Sequence, residues 1–185
     1  MLKTWSFIAY ATIFSPMFIG CAGPTTQATN GTVSEGKARP SASSARSFEG
    51  TDIDGEDFDL SDHLGTDVVI LSFWSTWCEP CKAEMPTLQK IHEAHDGKGL
   101  KIVSISMDGP DTMAGVKPYI KSNGFSFTVL IDEDTSIAQS YNPRSTLPFM
   151  VMLNRKGDIH KQIEGFQLSE ADHLVQEVKA LVEAR

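Results

Sequence analysis

Two cysteines separated by two residues follow directly after a strongly apolar stretch, and this junction limits what the chain can fold into. Residues 68–73 form an apolar run that is too short and too rich in β-branched side chains for a helix, so they predict a buried strand. Residues 85–92 then show helical spacing, which places Cys78 where a strand gives way to a helix. Free backbone N–H groups and the helix dipole favour a thiolate there. Cys81 lies one turn further on the same face, close enough for a disulfide, so the pattern predicts a dithiol/disulfide redox site.

The composition narrows the class of protein. At 185 residues the chain has room for one core-forming domain and tails. Its net charge of −8 argues against a nucleic-acid partner. The chain has 3 cysteines, which excludes a disulfide-rich scaffold and leaves Cys21 to be explained apart from the pair.

The N-terminus indicates export from the cytoplasm. Lys3 is followed by an uncharged, mostly apolar stretch over residues 4–20, as in a secretory signal. The end of this stretch resembles a bacterial lipoprotein signal, in which a Gly–Cys bond is cut and the new N-terminal cysteine, here Cys21, receives lipid; Phe18 replaces the usual Leu of that motif. We therefore expect residues 1–21 to be a lipoprotein-type signal peptide, with an uncleaved membrane anchor or plain secretion as alternatives. Each of these places the domain where disulfides are permitted.

Two regions follow the signal. Residues 22–46 are rich in Thr, Ser, Gly and Ala, and predict a disordered tether. Residues 47–185 alternate between strand and helix patterns, which predict an α/β domain whose mixed sheet is covered on both faces. The expected elements are a hairpin at 48–60, strands at 67–74, 100–107, 127–131, 149–153 and 158–163, and helices at 79–96, 112–123, 135–140 and from 171 onward. Pro86 should kink the first helix, and residues 169–172 should cap the last one.

The motif around the cysteines resembles that of a known family. Residues 77–82, Trp-Cys-Glu-Pro-Cys-Lys, followed by Glu84 and Pro86, resemble the active-site helix of thioredoxin-fold oxidoreductases, most closely the TlpA/ResA-like branch. The resemblance implies a thioredoxin-like fold with an N-terminal hairpin and a central insertion, which would be residues 100–140. It also implies an extracytoplasmic, tethered enzyme. A CxxC pair alone would be weaker, since zinc sites share it.

The resemblance assigns roles to the residues of the motif. Cys78 corresponds to the nucleophile that attacks a substrate disulfide, and Cys81 to the buried resolving thiol. Glu84 corresponds to a glutamate by the active site, and is a candidate proton acceptor for Cys81 or regulator of its pKa. The alternative for Glu84 is a solvated carboxylate on the helix surface.

The resemblance also assigns three further residues to substrate binding. Pro148 matches the cis-proline that lies opposite the cysteines, with a trans proline at a strand start as the alternative. A cis bond would expose the Leu147 backbone for pairing with an extended substrate segment. Trp74 and Trp77 are expected to pack around the site. Trp77 is also a candidate to cover the thiols, with a purely packing role as the alternative.

The site also departs from ordinary thioredoxin. Ser72 occupies the strand position that a buried carboxylate holds there, so proton handling is left to Glu84, water or the substrate. Glu79 between the cysteines opposes the effect of the helix dipole on Cys78. We therefore expect a reducing couple.

The resulting hypothesis is a membrane-tethered reductase of protein disulfides that needs no cofactor and acts as a monomer. By resemblance, its client would be apocytochrome c, and its electrons would come from a membrane thiol transporter of the DsbD or CcdA kind. Three alternatives remain at this point. His92 and His95 could form half of a metal or copper-delivery site, Thr76 could support a thiol-dependent peroxidase, and the protein could be a binding lipoprotein with an idle disulfide.

Overall fold

The computed structural model of the protein describes residues 44–184, so the expectations for the signal peptide, for lipidation at Cys21 and for the tether up to residue 43 lie outside it. The strands in this range are β1 (Glu49–Thr51), β2 (Asp57–Asp59), β3 (Val68–Trp74), β4 (Leu100–Ser106), β5 (Thr128–Ile131), β6 (Phe149–Leu153) and β7 (Ile159–Glu164). The helices are α1 (Glu79–His95), α2 (Val116–Asn123), α3 (Ser136–Tyr141) and α4 (Ala171–Glu183).

The main sheet is mixed, as predicted, and its strand order is β5-β4-β3-β6-β7. Strand β3 pairs in parallel with β4 and antiparallel with β6, which makes it the central strand. Strand β4 pairs in parallel with β5, and β6 pairs antiparallel with β7. Residues 100–140, the predicted insertion, provide β4, α2, β5 and α3. Strands β1 and β2 form the predicted hairpin as a separate two-stranded sheet.

Strand β3 is buried on both faces, which explains why its sequence is an apolar run without polar alternation. Successive side chains point to opposite faces of the sheet. Val68, Ile70 and Trp74 pack in one cluster with apolar side chains of α1, α2 and α4. Val69, Leu71 and Phe73 pack in a second cluster with side chains of α3 and of the hairpin region. The prediction of a sheet covered on both faces is confirmed.

Two helix starts differ from the prediction. Helix α2 begins at Val116, after a 3-10 turn over Met113–Gly115, and Pro118 is its third residue. Proline is tolerated there because the first N–H groups of a helix have no partner within it. The cap predicted at residues 169–172 is wrong, since a 3-10 turn over Leu168–Glu170 leads into α4 and no side chain caps it. Ser169 lies inside that turn and not at an extended N-cap position.

The folded domain also begins earlier than the predicted boundary. Ser44 forms a β-bridge with Asp158, and the Ala45 N–H donates to the Gly157 carbonyl at 2.7 Å. The Tyr141 hydroxyl donates to the Arg46 carbonyl at 2.5 Å. Residues 44–46, which the composition assigned to the tether, are therefore held by the domain.

Candidate active site

The two cysteines form a disulfide at the N-terminus of α1. Cys78 is the N-cap residue of the helix, and the Cys81 N–H donates to its sulfur at 3.3 Å. Their Cα atoms are 5.3 Å apart. Cys78 keeps 6% of its surface exposed, whereas Cys81 is completely buried. The predicted position of the pair at a helix start and the burial of Cys81 are confirmed, whereas Cys78 was expected to be exposed and is only slightly more accessible than Cys81.

The charges beside the pair are arranged around Lys82. Its ammonium group lies 2.8 Å from a Glu79 carboxylate oxygen and 5.8 Å from the centre of the Tyr119 ring. The hydrogen bond to Glu79 raises the pKa of Lys82. Glu79 was expected to oppose the effect of the helix dipole on Cys78 through its negative charge. Lys82 neutralises part of that charge.

Glu84 lies one turn beyond Cys81 on the face of α1 that packs against the sheet. The side chain is 2% exposed, and the Ser72 hydroxyl of β3 donates to its Oε2 at 3.1 Å. Burial raises the pKa of Glu84 to about 7, and the bond from Ser72 opposes the shift only in part. The alternative of a solvated surface carboxylate is wrong, because the helix turns this position toward the core.

Glu84 also borders a groove of about 430 Å³ that opens between β7 and α4. The wall of the groove carries several titratable side chains, namely Lys161, Glu164, Glu170, His173 and Glu177. Lys161 and Glu177 face each other across it in an ion pair of 2.7 Å. A residue that is nearly closed off by the core therefore borders a solvent-open groove lined by both polar and apolar side chains.

The Leu147–Pro148 peptide bond is cis, as predicted, and the trans alternative is wrong. It directly precedes β6, whose first residue, Phe149, pairs with Phe73 near the end of β3. Because of this pairing, Leu147 lies at the same end of the sheet as the cysteines, which follow β3. Its half-buried side chain packs against the apolar cluster that contains both sulfurs. The Gly165 N–H donates to the Pro148 carbonyl at 2.8 Å.

The two tryptophans have different environments. Trp74 is completely buried, and its ring centre lies 5.5 Å from that of Tyr119. Trp77 is 61% exposed. The expectation that Trp74 packs beside the site is confirmed, whereas the packing role expected for Trp77 is wrong. A large apolar ring directly before Cys78 is instead presented to solvent.

Sequence reasoning missed a buried carboxylate beside the motif. Asp108, in the loop after β4, is 1% exposed. It accepts hydrogen bonds from the Thr76 N–H at 2.8 Å, from the Thr76 hydroxyl at 2.5 Å and from the Ser106 hydroxyl at 2.8 Å. Burial opposes its ionisation, but the hydrogen bonds from Thr76, Thr112 and Ser106 outweigh this, and the pKa of Asp108 lies below its usual value. Parallel strands bring their carboxyl ends to one edge of a sheet, so the ends of the predicted strands at 74 and 107 would have been the signal, but the sequence did not show that these two strands pair.

The structure also shows the surroundings of the residues considered for a metal site and for a peroxide site. Within residues 44–184, no three or more His, Cys, Asp or Glu side chains are grouped so that they could hold a metal ion. His92 packs edge-on against the Phe127 ring at 6.3 Å. The Thr76 hydroxyl, considered for a peroxide site, is bonded to Asp108.

Comparison with known proteins places this geometry in a family. The sequence model of the AhpC/TSA family matches residues 42–162, which span the cysteine motif, the sheet and the cis-proline. The chain belongs to the AhpC/TSA family. Within it, the chain is similar to the thiol-disulfide oxidoreductase ResA of Bacillus cereus, at 34% identity over 126 residues that cover 68% of this chain and 70% of the relative.

Two solved structures resemble this AhpC/TSA-family protein in fold and in sequence. The crystal structure of StoA from Bacillus subtilis superposes with a TM-score of 0.60 at 30% identity, covering 71% of this chain and 95% of StoA. The exposed lipoprotein thioredoxin of Streptococcus pneumoniae strain TIGR4 superposes with a TM-score of 0.62 at 26% identity, covering 74% and 100%. The protein therefore has a thioredoxin-like fold and is a thiol–disulfide oxidoreductase of the ResA and StoA type. In the described part of the chain, no helix is both long and apolar enough to cross a bilayer.

Proposed function

We propose that this enzyme is a membrane-tethered reductase of protein disulfides outside the cytoplasm, and that Cys78 and Cys81 carry its electrons. The observation that supports this most directly is the asymmetry of the pair. The outer sulfur belongs to the N-cap of α1, where the helix dipole stabilises a thiolate, and the inner sulfur is closed off from solvent.

The proposed reaction consists of two exchanges at sulfur. The Cys78 thiolate attacks one sulfur of a client disulfide, so that a mixed disulfide forms and the other client sulfur leaves as a thiolate that takes a proton from solvent. Cys81 then loses its proton and attacks the Cys78 sulfur. The internal disulfide forms, and the second client sulfur is released as a thiolate. Two electrons pass from the enzyme dithiol to the client, which is reduced to a dithiol.

Glu84 is proposed as the group that accepts the Cys81 proton. It lies three residues beyond Cys81 on the same helix, and burial holds its pKa at about 7, so near neutral pH both of its protonation states are populated. The groove between β7 and α4 gives the accepted proton a path to solvent. Ser72 supports this role, because its hydrogen bond steadies the ionised form that results.

Client binding is assigned to Trp77, Leu147 and Pro148. The exposed Trp77 ring offers apolar contact area next to the outer sulfur. Against the cluster that contains the pair, the chain enters β6 through Leu147 and Pro148, where an extended client segment would pair with the Leu147 backbone. This arrangement favours clients whose cysteine lies in an unfolded or extended segment.

The location and partners are proposed from the N-terminus and from the relatives. The apolar stretch over residues 4–20 and Cys21 match a lipoprotein signal, and the pneumococcal relative is an exposed lipoprotein. A lipid anchor at Cys21 and a tether of about 22 residues would hold the domain near the membrane. There a membrane thiol transporter of the DsbD or CcdA kind would reduce the pair, and apocytochrome c with oxidised haem-binding cysteines is the proposed client.

The reduction potential of the Cys78–Cys81 pair tests the direction of electron flow. The purified protein is equilibrated in thiol/disulfide buffers, and the fraction of free thiols is measured. We expect a value below about −220 mV, towards the roughly −270 mV of thioredoxin. A value near −120 mV is typical of an oxidant and would contradict the proposal.

A second assay addresses the thiol-dependent peroxidase. The reduced protein is mixed either with insulin or with hydrogen peroxide at equal concentration, and thiol loss is followed. We expect disulfide exchange with insulin to be the faster reaction. Faster oxidation by peroxide, with Cys78 converted to a sulfenic acid, would favour the peroxidase instead.

A further inference from the structure

The buried carboxylate of Asp108 has no part in the mechanism proposed above, yet it is bonded to the segment that delivers the nucleophile. Its two oxygens are used separately: Oδ2 accepts from the Thr76 N–H and Oδ1 from the Thr76 hydroxyl. The Ser106 hydroxyl also donates to Oδ2. With both oxygens engaged, the carboxylate has one orientation, and Thr76 is attached to it through main chain and side chain together.

This attachment fixes the turn from which Cys78 projects. The Cys78 N–H donates to the Ser75 carbonyl at 3.0 Å, which closes the turn over residues 75–78. Thr76 lies inside that turn and is held from outside by Asp108. The Met107 N–H donates to the Trp74 carbonyl at 2.8 Å, so the loop that carries Asp108 is itself joined to the end of β3. The position of Cys78 relative to the sheet thus depends on Asp108.

The charge of Asp108 also acts on the thiol. The Cα atoms of Thr76 and Cys78 are at most about 7.6 Å apart along the chain, so a charge bonded to Thr76 lies close to Cys78. Asp108 is almost fully shielded from water, which weakens screening. In the described residues, no cation forms an ion pair with it. A negative charge in this position disfavours a second negative charge on sulfur.

Other charged and titratable groups border the same site. Helix α1 contributes Glu79, Lys82 and Glu84, and α2 contributes Tyr119, over whose ring Lys82 lies. Lys82 is weakly attracted to Asp108 over a longer distance, but its close partner is Glu79. The Lys82 ammonium group is therefore held mainly by the other carboxylate and neutralises the charge of Asp108 only in small part.

We propose that Asp108 is a positioning residue for the nucleophile, which holds the turn before Cys78 in place and at the same time restrains formation of the Cys78 thiolate. The proposal rests on the proposed role of Cys78 as the attacking sulfur. It implies that the loop after β4 sets how reactive and how reducing the pair is.

Three variants separate the two effects of Asp108. Asp108→Asn removes the charge and keeps a side chain that can bond to Thr76. Thr76→Val keeps the charge and removes the hydroxyl bond, and Thr76→Ser restores that hydroxyl. Asp111→Asn is the matched control, because it removes an exposed carboxylate from the same loop. For each full-length reduced protein, the rate of Cys78 alkylation by iodoacetamide is measured against pH, together with kcat/KM for insulin reduction.

We expect Asp108→Asn to lower the pH midpoint of alkylation by about half to one unit, which is a three- to tenfold gain in thiolate below that midpoint. Thr76→Val should lower kcat/KM about three- to tenfold without lowering the midpoint, and Thr76→Ser should recover the wild-type rate. Asp111→Asn should match wild type in both measurements.

Two outcomes would overturn the inference. One is an equal midpoint in Asp108→Asn and wild type. The other is an unchanged kcat/KM in Thr76→Val, which also decides the matter if Asp108→Asn does not fold. A wild-type protein that neither reduces insulin nor shows a titrating Cys78 would instead refute the proposed function, so the two failures are distinguishable.

Discussion

The Ser72 hydroxyl of the central strand donates a hydrogen bond of 3.1 Å to the Glu84 carboxylate of α1, across the interface between helix and sheet. In ordinary thioredoxin the carboxylate belongs to this strand position; here the strand supplies the donor and the helix supplies the carboxylate. Both groups are buried, so the free energy of ionising Glu84 depends on this one bond more than it would at a surface.

Replacing Ser72 with alanine should raise the pKa of Glu84 further. A hydrogen bond to a charged group contributes about 1.5–3 kcal/mol, and about 1.4 kcal/mol corresponds to one pKa unit, so we expect a rise of about one to two units. The measurement is the pH dependence of insulin reduction, whose midpoint should move to higher pH. Ser104→Ala is the matched control, because Ser104 pairs with Ser72 across β3 and β4 and its buried hydroxyl has no hydrogen-bond partner among the described residues. A shift of the same size in Ser104→Ala would contradict the prediction.

Replacing Glu84 with glutamine should change how stability depends on pH. The folded-state pKa is raised from 4.5 to about 7, so the folded protein binds more protons than the unfolded chain between these values. The contribution of Glu84 to stability is therefore fully present below pH 4.5 and is lost as pH rises through about 7. Glutamine cannot ionise, so between pH 5 and pH 8 the variant should lose about 2–3 kcal/mol less stability than wild type.

Urea unfolding of the oxidised protein at pH 5 and at pH 8 measures this difference. Glu93→Gln serves as the control, since Glu93 is an exposed carboxylate on the same helix. The prediction fails if Glu84→Gln and wild type lose equal stability between the two pH values.

Replacing Cys81 with alanine should trap clients. The outer thiol can still form a mixed disulfide, but the internal attack that releases the client is absent. We expect covalent adducts at Cys78 that are cleaved by reducing agents and are seen as bands of higher mass on non-reducing gels. Cys78→Ala is the control and should form none through the pair, because its remaining thiol, Cys81, is completely buried. Adducts of equal abundance in Cys78→Ala would reverse the proposed order of attack.

Replacing Trp77 with alanine should weaken client binding and leave the fold intact. An aromatic anchor in an interface contributes about 1–2 kcal/mol or more, so KM for a protein disulfide should rise by about five- to thirtyfold. Because the ring is exposed, the free energy of unfolding should stay within about 0.5 kcal/mol of wild type. Leu168→Ala, at another exposed apolar side chain, is the control. An unchanged KM in Trp77→Ala would remove this residue from the client surface.

Much of the site could be predicted because its signals are local. A few neighbouring residues were enough to predict three features. These are the burial of β3, the disulfide between Cys78 and Cys81, and the cis-proline before β6. The burial of Glu84 was left open because a glutamate side chain is usually exposed, although Leu88 and Ile91 lie four and seven residues further along the same buried face of α1. Asp108 was missed because its partner Thr76 is 32 residues away, and only strand pairing brings the two together.

The groove that borders Glu84 opens between β7 and α4, and neither cysteine lines it. In the proposed mechanism, electrons and protons therefore reach the pair at two different surfaces of the molecule. A client bound over the outer sulfur leaves the route to Glu84 uncovered, so an acceptor at this position can return its proton to bulk water while the complex is still intact. The Glu84 carboxyl can then be ionised again before the client dissociates, and the next cycle is not delayed by this step.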